Sequence, residues 1–173
     1  MAKTLRNTLL IPVILLGLWA LSSCKKEDEP KGTDLELYEM AKVTEGFTWY
    51  MLSDGLLDKS AGSGHNYPFL RTRYNTEAAT QLDPDGKIKP GASFPEGSLV
   101  VKELYNDGST LGRYAILYKD SGNADADANG WVWGYIDANG SVAEPASKKG
   151  TSCIGCHTQD GGIDYMLMNK FFP

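Results

Sequence analysis

Histidine and cysteine are scarce in this sequence. Across 173 residues there are two histidines, His65 and His157, and three cysteines, at 24, 153 and 156. An odd cysteine count argues against a fold held by disulfides alone. Basic residues are also in short supply: 17 Lys and Arg stand against 22 Asp and Glu. Two of the bases, Lys3 and Arg6, and none of the acids lie in the first 23 positions, so the remainder carries about −7. Binding of phosphate backbones needs clustered Lys and Arg, so nucleic acid is excluded as a partner. A cationic redox partner or a small neutral substrate remains compatible. Long apolar runs are missing too. The single candidate, Leu9–Leu21, falls short of the roughly 20 residues needed to cross a bilayer.

What is present begins with that run. Lys3 and Arg6 precede it, and Leu21-Ser22-Ser23-Cys24 ends it. A positive start, an apolar centre and small residues before a cleavage point make a secretory signal peptide. The ending resembles a bacterial lipobox, in which the chain is cut before the cysteine and the cysteine is lipidated. Residues 1–23 are therefore read as signal peptide. Residues 24–33 are read as a lipidated Cys24 with a polar, flexible tether, since such a charged stretch cannot bury apolar area. Residues 34–173 are the folded domain. The lipid would hold the domain on a membrane outside the cytosol, at the periplasmic face or the cell surface.

Within the domain, apolar residues recurring at helical steps predict a helix over Asp34–Met51, with Asp34 capping it. Residues 58–66, rich in Ser and Gly, read as loop. Strands are expected at Phe69–Tyr74, Leu99–Tyr105, Arg113–Lys119 and Trp131–Ile136, and a short helix with Asn75 as its cap is expected over Asn75–Leu82. Two copies of Asp-Ala-Asn-Gly, at 127–130 and 137–140, flank the last strand and signal hairpin turns. A final helix is expected over Asp164–Lys170. The fold class is α+β, mainly an antiparallel β-sheet with short flanking helices.

The chemistry sits near the C-terminus. Cys153-Ile154-Gly155-Cys156-His157 is the C-x-x-C-H pattern of covalently attached haem c. Two thiols at this spacing reach the two vinyl groups of one ring, and the adjacent imidazole comes up beneath the iron as an axial ligand. Gly150 and Gly155 leave the backbone room to lie against the ring. A structural zinc site needs four ligands; with Cys24 lipidated, only His65 remains to supplement the motif. A redox disulfide between Cys153 and Cys156 does not call for the histidine. Met166 and Met168 follow His157 too closely to reach the other face of the ring and are expected at its edge or in the core. The opposite iron position is then open, or filled by something upstream.

With the motif only 16 residues from the end and a sheet before it, the chain resembles the cytochrome P-460 family, which includes the related cytochromes c′-beta. The resemblance rests on Phe94-Pro95-Glu96-Gly97-Ser98-Leu99-Val100-Val101-Lys102-Glu103-Leu104, on Tyr74-Asn75 followed by Ala78, and on the ending Asp164–Pro173. It spans roughly Tyr38 to Pro173. It implies one haem c with five-coordinate iron. It also implies either oxidation of hydroxylamine, with a lysine bonded to the haem, or binding of gases such as nitric oxide at an apolar face. Lys102 falls on the position of that lysine. Alternation puts Val100, Lys102 and Leu104 on one strand face and Leu99, Val101, Glu103 and Tyr105 on the other, so Lys102 faces either the haem or solvent. Ala115 falls where the hydroxylamine-oxidising members carry a carboxylate, and an alanine cannot serve as a base.

Other residues admit two readings each. His65, in its Gly/Ser-rich loop, is a sixth iron ligand or a solvent-exposed histidine, the latter expected. Arg71 and Arg73 share a strand face and pair with haem propionates or face water. Asp125-x-Asp127-x-Asn129-Gly130 begins like a calcium loop, but Ile136 stands where the twelfth ligand belongs, so a hairpin turn is expected. Trp131, Trp133 and Tyr135 share a face and are expected in the core. Three functions stay open: a redox enzyme acting on hydroxylamine or nitric oxide, a gas-binding haem protein without turnover, and an electron-transfer cytochrome with a redox partner protein. A homodimer is compatible with each.

Overall fold

The computed structural model describes residues 29–173. The segment expected to be a signal peptide, the expected lipidation site Cys24 and most of the expected tether lie outside the described residues. A seven-stranded antiparallel sheet forms the body. Helix α1 (Thr33–Lys42) leads into a short edge strand β1 (Thr48–Trp49), a single 3₁₀ turn at Tyr50–Leu52, and strand β2 (Leu57–Asp58). Strand β3 (Phe69–Tyr74) and helix α2 (Thr76–Ala79) follow. Next come the long strands β4 (Leu99–Tyr105), β5 (Leu111–Lys119) and β6 (Trp131–Asp137), then the short β7 (Val142–Glu144). The chain ends with two single-turn helices, α3 (Ile154–His157) and α4 (Met168–Phe171). The sheet order is β1-β3-β4-β5-β6-β7, with β2 also pairing along β3. All pairings are antiparallel, as the turn chemistry between the strands requires.

The long strands form where β-branched and aromatic residues cluster, and their ends match the sequence reading within two residues. Asn75 caps α2 by accepting the Ala78 backbone N–H at 3.0 Å, and it also takes the Leu99 N–H at 2.9 Å, tying the helix to β4. The Asp127 and Asp137 repeats both make turns closed by their glycines, each at positive φ.

The helix expected over Asp34–Met51 stops at Lys42. Val43 is already extended and Gly46 turns the chain at φ +79, so Thr48 and Trp49 pair with Tyr74 and Arg73 on the sheet edge. Helix-spaced Phe47 and Tyr50 thus pack from the residue before β1 and from the 3₁₀ turn after it, because tertiary pairing overrides a marginal helical pattern. Asp34 caps nothing in its own helix. Its carboxylate accepts the Ala146 N–H at 2.8 Å, joining α1 to the segment after β7. The helix expected over Asp164–Lys170 forms only at Met168–Phe171, since Asp164 and Tyr165 adopt positive φ in a tight turn.

The sheet buries both faces. Leu37 and Ala41 of α1 cover Leu99, Val101, Tyr114, Ile116, Val132 and Ile136 on one face. The other face packs Leu70, Tyr74, Val100, Leu104, Leu117, Trp131 and Trp133 against Phe94, Met166 and Met168. Arg71, Arg73 and Glu103 belong to the α1 side. Arg73 is 0% and Glu103 3% exposed, and Glu103 accepts from Arg71, Arg73 and the Tyr105 hydroxyl. Arg73 also donates to the Ala41 carbonyl. The expectation that these arginines meet propionates or water is therefore corrected: with Glu103 they form an ion cluster on the α1 side of the sheet, in which Arg73 is fully buried and Arg71 partly exposed. An unpaired arginine could not be buried this way, and Glu103 compensates it.

Candidate functional site

The register of the central strands lines up one row across the sheet. Thr72 pairs with Lys102, Lys102 with Ala115, Ala115 with Tyr135, and Tyr135 with Glu144. The row floors a cavity of about 350 Å³. Trp133 forms part of the wall, and the C-terminal segment supplies Gly150, Cys153, Cys156 and His157. Parity settles Lys102: it shares the cavity face with Val100, while Glu103 points to the opposite side.

Cys153 immediately precedes α3 and Cys156 lies within it, with both thiols free. His157 ends that single turn. Its Nδ1 lies 2.7 Å from the Tyr165 carbonyl oxygen, so Nδ1 carries the proton and Nε2 is left with its lone pair. The positive φ of Tyr165 aims that carbonyl back at the imidazole. Asp164 fixes the same turn, accepting from the Phe94 N–H and the Trp131 indole N–H, both at 2.9 Å. Trp133 stands edge-on to His157 with ring centres 5.2 Å apart. The protein thus grips one imidazole nitrogen, orients the ring and leaves the other nitrogen available, which is how a metal-binding histidine is prepared. Burial, together with the Lys102 charge, pushes the His157 pKa down to about 4, partly offset by the Tyr165 carbonyl, so the neutral ligating form prevails at pH 7.

Gly150 lines the cavity and meets a further constraint that the sequence did not show. It adopts φ +67, and a side chain there would come within 2.6 Å of the Trp133 ring. Its bareness lets the indole pack beside the cysteine segment. Gly155 has open space around it.

His65 departs from its expected place in solvent. The 58–66 segment folds over the C-terminal residues, bringing the ring into the cavity. Its Nδ1 lies 3.2 Å from the Tyr135 hydroxyl, and its ring centre lies 6.4 Å from that of His157. Burial and neighbouring Lys102 push its pKa down to about 3. The loop composition hid this, because Ser and Gly report flexibility and not direction. Arg113 was also missed, although it shares strand parity with Ala115. It lines the cavity, donates to Asp137 and lies 4.4 Å over the Tyr135 ring. As the cavity's guanidinium, it is the group suited to an acidic substituent of a bound ring.

Lys102 is the cavity's amine. Burial pushes its pKa down to about 8, with the Cys156 thiol opposing slightly. Met168 lines the cavity too and accepts the Thr72 hydroxyl at its sulfur, 3.3 Å away.

The cytochrome P-460 family model matches residues 68–168, more than half of the chain. The chain belongs to the cytochrome P-460 family. This is a family of c-type haem proteins, and the donor set just described suits such a group: two free thiols, one oriented imidazole and an arginine around a cavity with an apolar wall. No curated protein and no solved structure matches the chain. The calcium reading of 125–130 finds no support in the geometry. The Asp127 carboxylate is occupied by the N–H groups of Asn129, Trp131 and the Trp133 indole, at 2.8 to 3.0 Å. Among the described residues no group of three or more His, Cys, Asp or Glu side chains is placed to hold a metal ion.

Proposed function

We propose that this chain is an exported, lipid-anchored mono-haem cytochrome that carries out redox chemistry on small nitrogen oxides, hydroxylamine or nitric oxide. Cys153 and Cys156 hold one haem c through thioethers and His157 ligates its iron. The observation carrying the reading is the position of Lys102 on the floor of the cavity that Cys153, Cys156 and His157 also line. The haem supplies an electron sink for the substrate nitrogen. The chain's own residues bind and orient: Arg113 anchors an acidic edge, Trp133 and Val100 keep water out, and Lys102 offers a largely desolvated amine that can bond to the ring edge. Ala115 places a methyl group where a proton-accepting carboxylate would speed hydroxylamine oxidation, so turnover is slow. That methyl also favours a second reading, gas binding without turnover.

No helix among the described residues is long and apolar enough to cross a membrane. Attachment through Cys24 needs none, because the acyl chains alone provide the anchor. Two experiments test the proposal. The purified protein is assayed for hydroxylamine oxidation with an artificial electron acceptor; turnover supports the enzyme, while nitric oxide binding without turnover moves the assignment to the gas binder. Cys24→Ala should release the protein from the membrane fraction or block its processing; unchanged membrane association after normal cleavage rules the lipid out.

A further inference from the structure

We propose that Trp133 and Tyr165 form a redox relay between the surface beside Asn129 and the ring of His157, through which one-electron donors in solution refill a site oxidised by a peroxide. The proposal rests on haem attachment at Cys153 and Cys156, and not on the nitrogen-oxide chemistry.

Three observations carry it. First, the rings form a continuous chain. Trp133 stands edge-on to His157 with ring centres 5.2 Å apart, and Tyr165 stands edge-on to Trp133, again at 5.2 Å. Aromatic rings at these spacings are in direct contact, and electron transfer is fastest across contacts. The chain then reaches the surface. Tyr165 is half-buried, and its hydroxyl accepts from the exposed Asn129 side chain at 2.5 Å. The Tyr165 carbonyl adds a second link, 2.7 Å from His157 Nδ1. Second, Trp133 is prepared to lose an electron. It is 6% exposed, and its indole N–H donates to the Asp127 carboxylate at 2.9 Å. A negative charge held there, with little water to screen it, stabilises the ring once it turns positive. Third, the neighbouring Trp131 is set up differently. It too gives its N–H to a carboxylate, Asp164, but its ring packs on Phe94 at 5.9 Å, and the Lys119 ammonium lies 4.9 Å from its centre. A cation over the face is attracted by a neutral indole and repelled by an oxidised one.

The electron balance is simple. For each hydrogen peroxide the O–O bond breaks, two electrons and two protons are taken up, and two waters leave. The electrons come from two molecules of a one-electron donor, each oxidised once, and the protons come from solvent. Trp133 loses an electron toward His157 and keeps its Nε1 proton against Asp127, so only the electron moves. Tyr165 refills the indole and releases its phenol proton to water with the electron. The donor's electron and a solvent proton then restore the phenol.

The test uses the purified full-length haem protein in its ferric form. Hydrogen peroxide is added in excess, samples are frozen during turnover, and electron paramagnetic resonance spectra are recorded with ordinary and with ring-deuterated tryptophan. The expected result is an organic radical whose signal narrows on deuteration. It should be lost in Trp133→Phe and weakened in Asp127→Asn, which keeps the indole and removes the charge. Tyr165→Phe should keep the tryptophan radical, prolong it, and slow the peroxide-dependent oxidation of hexaammineruthenium(II), a cationic one-electron donor. A readout in the wild type needs no variant. After repeated peroxide additions without donor, peptide masses should show added oxygen at Trp133 and Tyr165, and the donor should suppress it. Oxidation confined to other residues overturns the proposal and leaves haem attachment standing. A radical that persists unchanged in Trp133→Phe overturns it as well. Wild-type protein with no covalent haem overturns both.

Discussion

Lys102 offers the sharpest test of how the fold prepares the site. An amine bonds to the edge of a ring only in its neutral form. The new C–N bond replaces an N–H and a ring C–H with release of two protons and two electrons, so the reaction is run with hydrogen peroxide supplied as the two-electron oxidant. An ordinary lysine, at 10.5, is almost wholly charged at pH 7; burial brings Lys102 down to about 8. That difference raises the neutral fraction at pH 7 by roughly 300-fold, to about a tenth. Between pH 7 and 9 the neutral fraction climbs from about 10% to about 90%, so bond formation between Nζ and the haem should accelerate roughly ninefold over that range and then level off. The assay is the mass of the haem peptide after proteolysis, followed with time in protein freshly loaded with haem, alongside the red shift of the main absorption band. Lys102→Arg keeps the charge and cannot become neutral. It should show an ordinary c-type spectrum with both thioethers intact. A red-shifted band or an added bond in the arginine variant would refute the reasoning. The same shift has a signature in stability before haem is attached. Between pH 8 and 10.5 the unfolded chain holds the Lys102 proton more tightly than the folded one, so stability should rise with pH across this window. Lys102→Met should abolish that rise.

Three further outcomes are expected. Cys153→Ser with Cys156→Ser should give protein with no haem stain on a denaturing gel; a stained band would place attachment elsewhere. Ala115→Glu should raise hydroxylamine turnover by about 10²–10⁴-fold, the usual contribution of a positioned base, and an unchanged rate in steady-state assays would show that this face of the cavity is not where protons leave. Glu103→Gln leaves Arg73 buried without its counter-charge and should destabilise the fold by about 3–5 kcal/mol, seen as a Tm lower by roughly 10 °C, with the haem spectrum preserved. A Tm within a degree or two of wild type would show that the buried ion cluster contributes little.

The strands were legible because their signals are local. Leu99–Tyr105 alternates over a full strand length, and Asn-Gly at 129–130 and 139–140 closes turns through its own backbone preferences. The Cys153-Ile154-Gly155-Cys156-His157 motif was legible for a similar reason: two thiols and an imidazole within five residues are neighbours in any fold. Alternation likewise separated Lys102 from Glu103, although it could not say which face held a cavity. Where a local pattern was weak, distant partners decided. Val43 to Tyr50 reads as helix by spacing and forms strand and turn, because β3 offers an unpaired edge whose hydrogen bonds the segment fills.

The sequence by itself determined the antiparallel strands, the export and lipidation signals as an expectation, and the thiol–imidazole cluster that marks a haem c protein. Only the tertiary structure decided that Arg71 and Arg73 neutralise Glu103 beneath α1, that the Tyr165 carbonyl orients His157, and that His65 faces it across 6.4 Å. The physical reason is range. Strand alternation, turn preference and motif spacing act over a few residues and are written in order along the chain. The His65–His157 approach joins positions 92 residues apart, and it exists because strand register sets Tyr135 beside the cavity and a glycine-bearing loop can close over the cysteine segment.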